Sequence, residues 1–331
     1  MEGILVATYR CNARCHMCNT WQYPTTPDQE MDPRYYERFP NLEFLNITGG
    51  EPFLREDLEE IVRIVKPKCK RICISTNGYF TERIVELAKK FNGEIGIRIS
   101  IEGLPAANDE LRGIPDGFDH GLRTLLQLKR MGMKDIGFGI TISDRNAKDV
   151  LELYELAKHL EVEFATAVVH NGYYFHKFDN MVTKQEEITE SVSELIRELF
   201  KSKRPKNWYR AYFNHGIINY VHGGKRLFPC HMGEDIFLCE PWGDIKPCNV
   251  LDEVMGNIKE ADFETIWNSE KANEVRKKAR NCGRECWMIG SVSPEIKKNK
   301  WKVAKWILRN KWNYHWSPEC VSNQTSCARN E

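Results

Sequence analysis

Short apolar segments alternating with amphipathic ones constrain this 331-residue chain more than any other feature. Gly3–Tyr9, Glu43–Thr48, Arg71–Thr76, Ile95–Ile101, Ile136–Ile142 and Glu163–Val169 are rich in Ile, Val and Phe and end at turn residues, which reads as strand. Asp32–Phe39, Arg55–Lys66, Thr81–Lys90, Phe118–Met131, Asn146–His159 and Lys184–Phe200 repeat apolar residues at helical spacing. Thr81 and Asn146 read as helix N-caps. Short connections of this kind make the strands parallel and put the helices outside. Six units are too few for a closed eight-stranded barrel. The expected fold is α/β, a partial, open (β/α)6 barrel with ligands at the carboxyl ends of the strands. After about Arg210 cysteines and tryptophans become frequent and strands shorten. There Ile236–Cys239 and Ile245–Pro247 flank Pro241-Trp242-Gly243-Asp244, a hairpin turn. The expected division is a core domain over residues 1–210 and a smaller domain over 211–331.

Twelve cysteines have to be accommodated. Met1-Glu2-Gly3-Ile4-Leu5 lacks the basic start of a signal peptide, and no apolar run reaches membrane-spanning length. A cytoplasmic, reducing setting follows, in which cysteines serve metals rather than disulfides. Net charge is +1, so global charge points to no nucleic-acid partner. Cys11, Cys15 and Cys18 stand directly after the first strand. Three thiolates can hold three irons of a four-iron cluster and leave the fourth iron open to another ligand. A zinc site or inert thiols are the alternatives. Structural zinc usually takes four ligands, and only His16 lies nearby. Thr48-Gly49-Gly50-Glu51-Pro52 closes the second strand. Its glycines allow a close approach to backbone, and its carboxylate suits an ammonium group.

With these residues in place, the chain resembles the radical S-adenosylmethionine (SAM) superfamily over roughly residues 1–200. The C-x3-C-x2-C motif is Cys11, Cys15 and Cys18, and the Gly-Gly-Glu-Pro motif is Gly49 to Pro52. Ser75-Thr76-Asn77-Gly78-Tyr79 ends the third strand, and Ser100-Ile101-Glu102-Gly103, followed by Leu111-Arg112-Gly113, ends the fourth. Met17 stands where an aromatic residue is commoner. The resemblance implies a TIM-like barrel whose three cysteines ligate a 4Fe-4S cluster, with SAM chelating the open iron. It implies that Gly49, Gly50 and Glu51, within the motif that ends at Pro52, bind the SAM amino group. Thr76, Ser100 and Glu102 become candidates for the ribose or methionyl part, and Arg112 for the carboxylate. Ile140 or Ile142 could pack on adenine, although core packing is the plainer reading. The implied chemistry is reductive cleavage of SAM to a 5′-deoxyadenosyl radical, fed by a reductant such as flavodoxin or ferredoxin.

Cys230, Cys248, Cys282 and Cys286 form a second set, a hairpin with two thiols plus a close pair. They resemble the auxiliary-cluster domain called SPASM or its shorter relative, twitch. The middle cysteines of the full pattern are missing, which implies one auxiliary 4Fe-4S cluster. The same thiolates would suit a structural zinc. Cys239, Cys320 and Cys327 are spare thiols, alternative ligands or a hydrogen-atom donor. Cys69 and Cys73 read as packing. His170 is a candidate for the active site, as are Tyr173 and Tyr174, whereas His215, His222 and His231 flank the second set. Residues 296–316 carry seven Lys or Arg and no acid, interleaved with Trp301, Trp306, Trp312 and Trp316. This reads as a last helix packed on the barrel, or as a peripheral membrane contact with Trp301, Ala304, Leu308 and Trp312 on one face.

The expected activity is hydrogen abstraction from a non-peptide substrate: a sugar, cyclitol, nucleoside, or lipid-linked or phosphorylated metabolite. The auxiliary cluster would assist oxidation. The chain begins at its first strand, which leaves no room for an N-terminal peptide-binding domain. Peptide modification and redox-neutral epimerisation with a cysteine hydrogen donor are the rival reactions. An iron–sulfur electron carrier or a zinc-stabilised binding protein is the rival class, and the open triad with Gly49–Pro52 counts against it.

Overall fold

The computed structural model describes residues 1–316, so Cys320 and Cys327 lie outside the described residues. Six parallel strands come first: β1 (Glu2–Val6), β2 (Phe44–Thr48), β3 (Ile72–Thr76), β4 (Gly96–Ser100), β5 (Ile136–Ile142) and β6 (Glu163–Val168). The helices between them are α1 (Leu58–Val65), α2 (Thr81–Lys90), α3 (Pro105–Arg112), α4 (Gly117–Arg130) and α5 (Val150–His159). Then follow α6 (Gln185–Lys201), α7 (Pro205–Val221), β7 (Ile236–Cys239), β8 (Asp244–Lys246), β9 (Gly256–Asn257), α8 (Phe263–Trp267), α9 (Glu270–Arg280), α10 (Ile289–Lys298) and α11 (Lys300–Trp316).

The sheet order is β6-β5-β4-β3-β2-β1-β7-β8-β9. β7 pairs parallel with β1, and β8 turns back antiparallel on β7. The expected hairpin is therefore present, and it also extends the barrel sheet. Residue 210 falls inside α7 rather than in a linker.

Period-two alternation sorts the strand residues. Leu45, Ile47, Ile72, Ile74, Ile97, Ile99, Ile136, Phe138, Ile140 and Ile142 are buried in the core under the helices. The other face carries small or polar residues, including Asn46, Ser75, Ser100, Gly139, Thr141 and Ala167. The barrel interior is thus left open for a ligand.

Several local expectations need correction. Asp32–Phe39 is a 3-10 helix over Pro33–Arg38. The helix expected from Arg55 starts at Leu58, because Arg55 is buried and spent elsewhere. Its guanidinium donates to the Ala7 carbonyl at 3.0 Å, the Met31 carbonyl at 2.8 Å and Asp57 at 2.6 Å. Thr81 does not cap α2; Phe80 holds that position, and the Thr81 hydroxyl pairs with that of Thr124 at 2.7 Å. Asn146 precedes a 3-10 turn without capping it. Its amide donates to the Glu102 and Thr141 carbonyls at 2.7 and 3.0 Å, tying β4 to β5. Cys69 and Cys73 are buried free thiols, as packing residues are.

Candidate active site

The candidate site residues gather where β1 to β4 end. Beyond Val6 the chain runs through Thr8, Tyr9 and Arg10 to the cysteine loop. Glu30 anchors this run, accepting from the Thr25 hydroxyl at 2.7 Å and from Arg10 Nε and Nη2 at 3.0 and 2.7 Å. The Arg14 and His16 amides donate to the Arg112 and Leu111 carbonyls at 2.8 and 2.9 Å. Gly113, at φ +55°, lets the loop pass, since a Cβ there would lie 2.6 Å from the Arg14 carbonyl oxygen.

Gly49 and Gly50 serve first as contacts for backbone. A Cβ on Gly49 would lie 2.3 Å from the Thr8 carbonyl oxygen, and one on Gly50 2.2 Å from that of Arg10. The Gly50 and Glu51 amides donate to those same two carbonyls, each at 2.8 Å. Both glycines still line the cavity. The Gly49 carbonyl accepts from the Tyr174 hydroxyl at 3.0 Å, which leaves one lone pair for a ligand.

Glu51 and Pro52 sit behind the wall and do not line the cavity. Glu51 is fully buried and accepts from the Thr76 hydroxyl at 2.7 Å, the Asn77 amide at 2.8 Å and the Phe53 amide at 3.1 Å. Burial raises its pKa against these bonds. Thr76, Ser100, Glu102 and Arg112 do line the cavity. Arg112 Nη1 donates to Glu102 Oε1 at 3.0 Å, and Glu102 Oε2 accepts from the Thr141 amide at 2.6 Å. Arg112 Nε is buried with no partner, a donor left over beside Cys11 and Cys15. An unmet buried donor is costly, and an anionic ligand group would satisfy it. Ile140 and Ile142 face the core, so neither can touch adenine; Thr141, one residue over, lines the cavity.

The second set of cysteines borders the same space. Cys11, Cys15, Cys18, Cys230, Cys248, Cys282 and Cys286 all line one cavity of about 390 Å³. Ile4 and Leu238, on the inner faces of β1 and β7, form part of its wall. Trp287 fixes the Cys286 loop. Its ring is buried against Gly216 of α7, where a Cβ would lie 1.9 Å from the ring, and its Nε1 donates to the Phe213 carbonyl at 2.8 Å. His170 holds the same segment as a buried neutral imidazole, donating from Nδ1 to the Val168 carbonyl at 2.7 Å. Its Nε2 accepts from the Trp287 amide at 3.1 Å. Arg226 bonds the Cys286 carbonyl and, at 3.2 Å, the Ser291 hydroxyl. Cys239 faces the opposite way, fully buried in the core and off the cavity, so it is neither a ligand nor a hydrogen donor to this site.

The donors fit iron–sulfur clusters. Burial pushes the Cys11 and Cys286 thiols up to about 12 and Cys15 up to about 11. Becoming thiolate therefore requires a metal. Donors already point at the sulfurs: Ala13 N–H to Cys11 Sγ, and Val250 and Leu251 N–H to Cys248 Sγ, each at 3.4 Å. Such bonds tune cluster thiolates. Among the described residues no three His, Cys, Asp or Glu converge tightly enough to hold a single ion.

Sequence reasoning missed Thr141, Asn77, Trp21 and Arg226, all of which line the cavity. Thr141 was readable as the inward neighbour of Ile140, and Asn77 as the residue after Thr76. Arg226 carries no local signal. Tyr174 lines the cavity as one of the candidates, whereas Tyr173 does not.

Residues 5–157 match the radical SAM superfamily, and residues 230–287 match SPASM, an iron–sulfur cluster-binding domain. The chain belongs to the radical SAM enzymes and carries a SPASM-type domain. Its cofactors are SAM, a 4Fe-4S cluster and auxiliary iron–sulfur ligation. Among curated relatives, the AdoMet-dependent heme synthase of Methanosarcina barkeri (strain Fusaro) is 28% identical over 302 residues, covering 81% of this chain and 82% of that one. The subtilosin biosynthesis protein AlbA of Bacillus subtilis (strain 168) is 25% identical over 284 residues, covering 81% of this chain and 59% of that one. Other curated relatives are matched over as little as 38% of their own length. A solved structure of anSMEcpe with bound AdoMet superposes with a TM-score of 0.60 at 17% identity, over 86% of this chain and 88% of that one, which supports the fold.

Proposed function

We propose that this enzyme abstracts hydrogen from a non-peptide small molecule and that an auxiliary 4Fe-4S cluster, held by Cys230, Cys248, Cys282 and Cys286, assists its oxidation. One observation carries the reading: both sets of cysteines border a single cavity of about 390 Å³. A molecule lodged there lies between the two. When bound, SAM and its cluster supply a carbon radical able to take a hydrogen atom. The protein does the positioning. Arg112 Nε takes the SAM carboxylate, with Glu102 fixing the guanidinium. The free lone pair of the Gly49 carbonyl accepts from the amino group. Ser100 and Thr76 flank the nucleoside. Met17 and Trp21, on the cysteine loop, exclude water. The M. barkeri relative, matched over most of both chains and named for a tetrapyrrole product, supports a non-peptide substrate. AlbA, matched over a similar share of this chain, keeps a peptide as the second reading.

The test is anaerobic reconstitution to about eight irons per chain, reduction with SAM, and incubation with deuterated cell extract split into metabolite and peptide fractions. Deuterium should enter 5′-deoxyadenosine from the metabolite fraction. Transfer from the peptide fraction alone would overturn the reading, and an iron content near four would remove the auxiliary cluster.

A further inference from the structure

Helix α11 has two unlike apolar faces. Val303 and Ile307 are buried. Trp306 packs on Tyr212 and His215, with ring centroids 5.2 and 4.8 Å apart. These residues dock the helix on α7. On the outer side, Trp301, Leu308 and Trp312 are 90%, 72% and 67% exposed. Steps of seven and four residues put them in line along one face. Single exposed apolar residues are ordinary in folded proteins, but a row of two tryptophans and a leucine is not.

The charge around this row is one-sided. Lys305 lies within it and Lys300 is exposed beside it, whereas the Lys302 ammonium turns to the Leu227 carbonyl at 3.0 Å. Lys297 and Lys298, in α10, are already paired with Glu2 and Asp235, so the charge offered here is that of α11 itself, whose sequence from Lys300 to Trp316 contains no acid. A second copy of the chain docked face to face would bring like charges together. A bilayer surface accepts both components at once: tryptophan and leucine enter the boundary between headgroups and acyl chains, and lysine reaches lipid phosphates. No described helix is long and apolar enough to cross a membrane, so contact through α11 is with the surface. We propose that the outer face of α11 docks the enzyme on an anionic lipid bilayer. A single such helix gives reversible attachment.

Full-length protein is co-sedimented with vesicles of phosphatidylcholine alone and of equal parts phosphatidylcholine and phosphatidylserine. Binding to the anionic vesicles, weakened by salt, is expected. Lys300→Gln and Lys305→Gln should each weaken it about fivefold. Trp301→Glu with Leu308→Glu should abolish it. All four side chains are exposed, and unchanged thermal melts will verify that the variants fold. No binding to anionic vesicles, or binding unchanged in the two lysine variants and in the Trp301→Glu, Leu308→Glu variant, overturns the proposal. So does self-association without vesicles that the Trp301→Glu, Leu308→Glu variant loses, which would assign this face to a second copy.

Discussion

His170 makes the stability of this protein depend on pH, and the size of the effect can be worked from its surroundings. Burial holds its pKa down from 6.5 to about 4. The unfolded chain therefore takes up the proton first as pH falls. The stabilisation is complete above the unfolded value near 6.5 and is lost as pH drops through about 4. Between neutral pH and pH 5 the difference spans about 1.5 units, or about 2 kcal/mol at 1.36 kcal/mol per unit. Full loss, below about pH 4, is about 3 kcal/mol. Protonation also removes the lone pair that accepts the Trp287 amide, the peptide bond next to Cys286. The assay is guanidinium unfolding of anaerobically handled protein, followed by fluorescence at pH 8 and pH 5. The control is His170→Gln, whose amide can donate to Val168 and accept from Trp287 but does not titrate. Wild type should lose about 2 kcal/mol more than this variant between the two pH values. His215, also pushed down to about 4 by burial, titrates in both proteins and cancels. Equal pH slopes for the two proteins would refute the reasoning.

Gly50→Ala would place a Cβ 2.2 Å from the Arg10 carbonyl oxygen, which has no rotamer to escape into. We expect about 3 kcal/mol of destabilisation and an iron content cut by about half, read by unfolding curves and iron assay. Arg112→Met removes the unpartnered Nε and strands buried Glu102, so calorimetry should find SAM binding weaker by about 10- to 100-fold. Replacing Cys11, Cys15 and Cys18 together with alanine should end 5′-deoxyadenosine formation while the auxiliary cluster's paramagnetic resonance signal remains.

The six parallel strands were legible because their buried residues announce themselves by composition and by clean breaks at turn residues. Ile136–Ile142 and Thr81–Lys90 fall on the expected bounds. Failures arose where a side chain serves a distant partner. Arg55 looks like the first turn of a helix, yet it is drawn off by carbonyls of Ala7 and Met31. Asn146 looks like a cap, yet it bridges β4 and β5. The roles of Gly49 and Gly50 were half legible. Their conformational freedom was clear, but the close neighbour is the backbone after β1, which no local pattern encodes. The pairing of β7 with β1 was hidden for a similar reason: its four residues read only as a hairpin arm.

That pairing decides how the two cysteine sets relate. Units joined by a linker move relative to one another unless a large interface holds them. Here β7 runs beside β1 from Ile236 opposite Glu2 to Cys239 opposite Leu5, so both sets are referenced to one sheet. The turn after β1 is tied across it as well. The Tyr9 hydroxyl donates to Glu240, which Lys246 meets at 3.1 Å, and Lys246 in turn meets Asp252 at 2.7 Å. The segment after β6 adds a third tie. The Asn19 amide donates to the Phe175 carbonyl at 2.8 Å, and the Tyr174 amide to the Asn249 carbonyl at 3.2 Å, joining the first cysteine loop to the second. Breaking one buried tie at a time would cost stability before it changed spacing, because the others hold the frame. A cut at residue 210 would differ in kind: it would sever α7, leave the β1 edge unpaired and remove one wall of the cavity. The separation of the two cysteine sets is therefore a property of strand pairing rather than of the chain that links them. A molecule in the cavity that both sets border would meet walls whose spacing the sheet has already set.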